Sequence, residues 1–338
     1  MSRKPLVRVV VLNWNSRDMT ADCLRSLLAM QESNFRILVV DNGSSDGSEK
    51  FLRESFPEVD IIANPYNLGF AAGCNIGMRR ALEENADYVF LLNNDTLVDQ
   101  FLLRELVTQA ENALQIAVVS PKIYYFTPPD AIWWVGGTYS PWIGLAKHID
   151  LRQKDTGRHD RVCDIDWATG CAMLLRCDAL RKIGLFDEQF FGNGEDLDLS
   201  LRMRQAGYRL RYLPSAKLWH REGIDYRRNV GEHVRTFTLI RNLLWVMHKH
   251  ARFYHWFTFW PIFLFYYVPK LLLLNIGRGD FKSCFSILHG VFAFWQMLLQ
   301  PGLSVLPAAI ARSREAAVAT PAARDSAHAF TSSGKAGT

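Results

Sequence analysis

The chain lacks the cysteine spacing of a structural metal site or a disulfide scaffold. Its six cysteines, Cys23, Cys74, Cys163, Cys171, Cys177 and Cys284, include no Cys-x-x-Cys pair, which favours free thiols in a reducing compartment. It also lacks a Gly-x-Gly-x-x-Gly turn after its first apolar run, where Asn13-Trp14-Asn15-Ser16 stands instead; a nicotinamide-binding Rossmann domain is therefore disfavoured. No helix-turn-helix, zinc-finger or RNA-binding signature and no internal repeat is present, so nucleic acid is not an expected partner. Net charge is only +5, with Arg209, Arg211, Arg221, Arg227, Arg228 and Arg235 close together. Such a run is either a solvated face or a site for phosphates and acidic lipid head groups. A secretory leader is not expected either. Arg8 interrupts the N-terminal apolar run and Asn13 ends it early, so the folded part of the chain is expected in the cytoplasm.

What is present is an ordinary globular composition, 49% apolar and 22% charged over 338 residues, enough for one principal domain with an appended segment. Val7 to Leu12, Ile37 to Asp41 and Tyr88 to Leu92 are short β-branched apolar runs that predict strands buried on both faces. Between them, Met19 to Met30, Ser48 to Phe56 and Phe70 to Leu82 carry helical spacing. This alternation predicts parallel β-α-β units, in which ligands collect at the carboxyl ends of strands. The polar residues fall there: Asn13-Trp14-Asn15, Asp41-Asn42 and Asn93-Asn94-Asp95 each follow an apolar run.

After about residue 250 the composition changes. Phe253 to Asn275 is an aromatic, apolar run containing Pro261, Pro269 and Lys270, and Phe285 to Leu299 is a second, shorter one. Three readings stand open: an interfacial or re-entrant hairpin, a membrane span, or a buried core or dimer helix. Beyond Pro301 the chain is rich in Ala, Ser, Arg and Gly without periodicity, which predicts disorder.

Several residues could carry chemistry. Asp41 closes a buried run, where its carboxylate could meet a base or ribose or simply cap the following turn. Asp95 sits at another strand end, where a carboxylate can share a divalent cation with diphosphate oxygens; the alternative is a cap for a helix starting at Asp95 or Thr96 and running through Leu106. Glu195, Asp196 and Asp198 crowd three carboxylates into four residues, and Leu197, Leu201 and Arg204 follow at helix spacing, although the alternation of Leu197, Leu199, Leu201 and Met203 would also fit a strand. On the helical reading the helix dipole stabilises their charge. One of them could instead be a general base, provided that desolvation or a bound acceptor restores the basicity that the dipole removes. His220 is either a ligand or a hydrogen-bonded structural histidine.

In this order the stretches VVVLNWNS, VVDNGSSDGS, NPYNLGFAAGCNIG, FLLNNDT, WATGCAMLLR, GLFDEQFFGNGEDLDLSLRMRQAGYRLRYLP and Trp219-His220 resemble family 2 glycosyltransferases of the GT-A fold. The resemblance covers about Leu6 to Arg241 and is strongest to the rhamnosyltransferase-like branch that builds bacterial cell-surface polysaccharides. It implies an α/β domain with a Rossmann-like, mostly parallel central sheet flanked by helices over residues 1–245; beyond the resemblance, composition gives a hydrophobic membrane-associating helical segment over 246–301 and a disordered tail over 302–338. It further implies that Asn13, Asn15, Asp41, Asn67, Gly69, Asn75 and Asn94 hold the nucleotide and that Asp95 and His220 hold Mg²⁺ or Mn²⁺. Asp196 would be the base, with Glu195 beside it, and Gly170, Cys171 and Asp198 would face the acceptor. The implied reaction is an inverting transfer of a sugar, rhamnose from dTDP-rhamnose or the sugar of a UDP donor, to a lipid-linked or polysaccharide acceptor. The implied place is the cytoplasmic side of the cell membrane, with a homo-oligomer left open. Where the family often has Asp-x-Asp, this chain has Asn93 at the first position, so one carboxylate fewer offsets the cation. The rival expectations are a sugar-nucleotide pyrophosphorylase, which usually opens with a Gly-rich basic phosphate loop that is missing here, and a sugar-nucleotide-binding protein without turnover.

Overall fold

The computed structural model describes residues 3–31, 34–221 and 231–300. Arg227 and Arg228 of the basic cluster, and the tail expected to be disordered, lie outside the described residues.

Strands and helices alternate through the first half: β1 (Val7–Asn13), α1 (Arg17–Leu28), β2 (Phe35–Asp41), α2 (Ser48–Ser55), β3 (Asp60–Ala63), α3 (Phe70–Glu83) and β4 (Tyr88–Asn93). β1 lies between β2 and β4, with β3 outside β2, and all of these pairs are parallel. β1, β2 and β4 are apolar runs because helices cover both faces of the sheet. Arg8, the second residue of β1, is buried and ion-paired with Asp60 at 2.5 Å and Glu84 at 3.3 Å. α3 can lie directly on β1 because Gly73 and Gly77 face Leu12 and Val10 at distances that leave no room for a Cβ.

The second half adds β5 (Thr96–Val98), α4 (Leu102–Glu111), β6 (Ile116–Tyr125), β7 (Ile132–Trp134), β8 (Gly137–Ser140), β9 (Leu145–His148), β10 (Cys163–Asp164), β11 (Ala172–Arg176), α5 (Cys177–Ile183), α6 (Glu195–Gln205) and β12 (Arg209–His220). The sheet continues from β4 through β11, β6 and β12 to β10, while β5 and β7 attach to β12 and β6. β8 and β9 form a separate hairpin. Here the sheet is mixed rather than parallel: β11 runs antiparallel to β4 and β6, and β12 runs parallel to β6 but antiparallel to β5. Two consequences position the site. The start of β11, with Gly170 and Cys171 just before it, lies beside the carboxyl end of β4, and Asn93 N–H donates to Cys171 O at 2.8 Å. The β5–β12 register sets His220 opposite Thr96, next to Asp95.

Two local expectations resolve. Thr96 begins a short strand rather than a helix, and its hydroxyl donates to Asn93 O at 2.7 Å; the helix starts at Leu102. The Glu195 segment is helical, entered through Gly194 at φ 108, a conformation that suits glycine.

Beyond residue 230 the described chain is helical: α7 (Glu232–His250), α8 (His255–Ile262), a π-helical turn (Phe263–Tyr267), α9 (Val268–Gly277) and α10 (Phe281–Leu299). The expected boundary at residue 245 falls inside α7. One edge of α7 holds the loop before α6, since Asn242 Nδ2 donates to Gly192 O and Asn193 O at 2.8 and 2.6 Å. Its other edge packs Ile240, Leu244 and Met247 on Phe259, Phe263, Ile287 and Phe294. Residues His255–Gly277 are continuous, apolar and long enough to cross a membrane, with 11% of the apolar window buried. The π-helical turn lies between Pro261 and Pro269, where missing backbone N–H groups interrupt the α-helical ladder.

Candidate active site

At the carboxyl end of β1 and β2, Asn13 and Asp41 stand in register, and both are buried. Asn13 Nδ2 donates to Asp41 Oδ1 at 2.6 Å, and its Oδ1 accepts from Thr20 Oγ1 at 2.7 Å. Asn94 Nδ2 donates to the same threonine oxygen at 2.8 Å. The Ser44 hydroxyl and N–H both donate to Asp41. Asn15, at φ 51, accepts from Ser45 N–H at 2.7 Å. These residues form one network that fixes the Gly-Ser turn after β2. Asn13 acts within it as an internal brace.

A second network was not foreseen. Asn42 donates to Asn67 Oδ1 and Gly69 O and accepts from Asn64 and Leu68, tying the turn after β2 to the Asn67–Gly69 loop. Gly69 has φ 92, and a Cβ there would meet the Phe191 ring and carbonyl oxygen at 2.6 Å. The next residue, Phe70, donates its N–H to Phe191 O at 2.7 Å. Asn75 lies deeper, buried against the loop after α5, exchanging hydrogen bonds with Phe186 backbone and reaching Glu188. The expected nucleotide residues thus divide into Asp41, Asn15, Asn67 and Gly69 around the turns, Asn13 and Asn75 as buried supports, and partly buried Asn94 bonded to Thr20.

The other half of the site centres on Gly170 and Cys171. Gly170 N–H donates to Asp196 Oδ2 at 2.9 Å, and Leu197 N–H donates to Asp196 Oδ1 at 2.8 Å. Cys171 is buried against His220, and burial raises its thiol above the usual range. His220 Nε2 lies 3.0 Å from Asp95 Oδ1. Burial opposes the imidazolium, but the neighbouring Cys171 and Asp95 outweigh it and hold His220 well above the ordinary histidine value. The residues expected on a metal therefore come together, and one dipeptide joins them to the expected base.

Asp95 and His220 fit a hard divalent cation of modest protein ligation. They offer one carboxylate and one imidazole, which would leave most positions of Mg²⁺ or Mn²⁺ to ligands from outside the protein. With Nε2 set against Asp95, His220 would have to give up a proton to ligate such a cation. No group of three or more His, Cys, Asp and Glu side chains forms a preformed cage among the described residues.

All three carboxylates of the acidic cluster lie in the first turn of α6, yet they differ. Burial raises Asp196 above the usual aspartate range in spite of the helix dipole and its two N–H bonds. Glu195 is more deeply buried and is raised well above its usual value by burial and by the adjacent Asp196 charge. Half-buried Asp196 is the more accessible of the two. Asp198, expected toward the acceptor, sits instead in a buried ion cluster with Arg202 at 2.9 Å, Lys249 at 2.7 Å and His250 at 2.8 Å. Burial opposes its charge, but these partners hold its carboxyl down at about 2.

The sequence model of glycosyl transferase family 2 matches residues 8–184, just over half of the chain. Among characterised relatives, the N-acetylglucosaminyl-diphospho-decaprenol L-rhamnosyltransferase of Mycobacterium tuberculosis is 24% identical over 233 residues, covering 62% of this chain and 74% of that protein. The low-salt glycan biosynthesis hexosyltransferase Agl10 of Haloferax volcanii is 24% identical over 221 residues, covering 65% and 68%. Among solved structures, GalNAc-T7 with UDP, GalNAc and Mn²⁺ superposes with a TM-score of 0.58 at 14% identity, covering 72% of this chain and 48% of that one. Mannosyltransferase PcManGT from Pyrobaculum calidifontis, in complex with GDP-Man and Mn²⁺, superposes with a TM-score of 0.54 at 16% identity, covering 96% and 83%. The sheet and its helices are those of a GT-A glycosyltransferase, and the chain belongs to glycosyl transferase family 2.

Proposed function

We propose that this glycosyltransferase is inverting and metal-dependent, and that it moves a sugar, rhamnose from dTDP-rhamnose or the sugar of a UDP donor, to a lipid-linked acceptor in cell-surface glycan synthesis. The observation that carries the reading is the Gly170–Cys171 bridge, with Asp196 hydrogen-bonded on one side and the Asp95–His220 pair against the other. An in-line displacement needs this arrangement: a base on the acceptor side and charge stabilisation on the leaving-group side.

In this reading Asp41, Asn15 and the Asn67–Gly69 loop hold the nucleoside, and Asn13, Asn75 and Asn94 brace them. Asp95 and His220 hold Mg²⁺ or Mn²⁺, which when bound offsets the negative charge on the departing diphosphate. Asp196 takes the acceptor hydroxyl proton as that oxygen attacks the anomeric carbon from the face opposite the diphosphate, so the configuration inverts. Glu195, buried beside it, is pushed well above its usual value by burial and by the Asp196 charge, so the charge of the pair rests on Asp196, and Asp198 fastens α6 to α7.

The lipid-linked acceptor and a cytoplasmic membrane-surface location draw support from the mycobacterial relative and from the C-terminal helices. Phe253, Phe257, Phe265, Phe285 and Phe292 are all more than 60% exposed there, a larger apolar display than a soluble surface normally carries. The test is a thermal-shift panel of UDP, dTDP, GDP and ADP with and without Mn²⁺, since a ligand that binds only the folded state raises its melting temperature. The reading expects a metal-dependent shift confined to UDP or dTDP and lost in Asp95→Ala. No shift from any nucleotide would overturn it.

A further inference from the structure

The wall between the two halves of the site is aromatic and has no role in the foregoing scheme. Trp133 and Trp134 lie on β7, Trp167 precedes Gly170, and His148 ends β9. Trp134 is fully buried and gives its indole N–H to Ser120 Oγ at 2.9 Å; Trp167 is nearly so and gives its N–H to Thr138 O at 3.2 Å. Both behave as core tryptophans. Trp133 differs: it is half-buried, and its indole N–H has no hydrogen-bond partner among the described residues.

Its position is also distinctive. The Trp133 ring stands edge-on to His220, centroids 4.4 Å apart at 82°, and edge-on to His148, 5.2 Å apart at 88°. His148 is held in turn by the Trp133 carbonyl, 3.3 Å from Nδ1, and by the rings of Trp134 and Trp167 at 4.8 and 5.4 Å. The Asp196 carboxylate feels the His148 charge, which favours its ionised form. Trp133 therefore occupies the interval between the leaving-group side and the base. A partly exposed indole with an available N–H suits a pyranose, whose C–H face packs on the ring while a hydroxyl accepts the hydrogen bond.

We propose that Trp133 is the platform on which the acceptor's sugar ring packs, with His148 as the positioning residue that fixes the indole against His220. The acceptor is favoured over the donor sugar because the hairpin carrying His148 runs from the site to the apolar helices. Its turn residue Trp142 stacks near Tyr254 and His255, centroids 5.5 and 4.7 Å apart, and accepts Thr258 Oγ1–H at 2.6 Å. Gly144 in the same turn packs on Phe259. This choice rests on the lipid-linked acceptor of the preceding reading.

The experiment uses the full chain, the donor whose nucleotide stabilises it, and a synthetic undecyl diphosphate bearing N-acetylglucosamine as acceptor. Donor hydrolysis without acceptor and transfer with it are measured for wild type, Trp133→Ala, Trp133→Phe and His148→Gln. Trp133→Ala should raise the acceptor KM about tenfold or more, a larger change than in donor hydrolysis or in the nucleotide-induced thermal shift. Trp133→Phe should recover most of the loss by restoring an apolar face. His148→Gln should lower kcat for transfer more than it changes nucleotide binding. An unchanged acceptor KM in Trp133→Ala, or equal losses in hydrolysis and transfer, would overturn the assignment. If Trp133→Ala fails to fold, His148→Gln with wild-type transfer kinetics would overturn it equally. A wild type that binds nucleotide but transfers nothing to the probe would instead refute the lipid-diphosphate acceptor and, with it, the basis of this inference.

Discussion

Replacing Asp196 with Asn separates charge from shape at the base. Both carboxylate oxygens accept backbone N–H groups, from Gly170 at 2.9 Å and Leu197 at 2.8 Å. Asn can accept only one of these and turns an amide NH₂ toward the other, which alone would cost about 1–3 kcal/mol of folding stability. Against that, the substitution removes a charge next to Glu195, which burial and Asp196 together push well above its usual value. The two effects oppose each other, so the melting temperature should move by only a few degrees, on the order of 1 kcal/mol. Catalysis has no such offset. A positioned general base contributes about 10²- to 10⁴-fold, or about 3–5 kcal/mol of barrier. Acceptor-dependent release of nucleoside diphosphate should therefore fall at least a hundredfold in kcat, with the nucleotide-induced thermal shift retained. A folded Asp196→Asn enzyme keeping more than a tenth of wild-type kcat would remove Asp196 from the role of base.

Three further outcomes are expected. Because Asp196 is raised above the usual aspartate range and must be ionised to act, the acid limb of a kcat–pH profile should lie above pH 3.8; a limb at or below that value would contradict it. Asp198 is held at about 2 against a reference of 3.8. Its stabilisation is therefore present above the unfolded value and lost as pH falls from 3.8 toward 2, and Asp198→Asn should cost about 2 kcal/mol at pH 7, read by urea unfolding, with the deficit closing near pH 2. Gly69→Ala forces a Cβ into the Phe191 carbonyl at φ 92 and should lose at least about 1 kcal/mol, with weaker nucleotide binding by calorimetry.

The first half of the fold was legible because its strands are buried on both faces and separated by periodic helices, so Val7–Asn13, Phe35–Asp41 and Tyr88–Asn93 stand out in the sequence. The second half was not. β6 carries Pro121 in mid-strand, and β12 mixes exposed and buried positions around Pro214, so neither reads as one strand before its partners are known. The mixed sheet follows from those long-range pairings. In the site, Asp41, Asp95, Asp196 and His220 could be singled out as strand-end or clustered ionisable groups. Asn42 gave only its place beside Asp41, although it makes four hydrogen bonds. Trp133 and His148 gave no local signal at all, since they meet only when β7 and the β8–β9 hairpin fold together. The helix dipole at Asp196 was legible, but the stronger opposing effect was burial, which depends on packing that the first turn of α6 does not encode.

The path of α7 changes how membrane association should be tested. Truncation after residue 250 would remove the helices against which Ile240, Leu244 and Met247 pack, and Gly290 of α10 crosses α7 closely enough that a Cβ would lie 2.9 Å from Phe237 O. Uncovering three such side chains costs on the order of 5 kcal/mol, comparable to the whole stability of a domain. α7 also holds the Gly192–Asn193 loop and pairs Lys249 and His250 with Asp198, so loss of activity on truncation would say little about membranes. Charged substitutions at exposed positions separate the two effects. Phe257 is 75% and Phe265 82% exposed, so Phe257→Glu with Phe265→Glu should leave the melting temperature within a few degrees while removing the apolar face offered to a bilayer. Flotation with anionic phospholipid vesicles is the readout: the double variant should stay at the bottom of the gradient where wild type rises. If wild type and variant float equally, these helices do not anchor the enzyme, and their exposed face must meet something other than lipid.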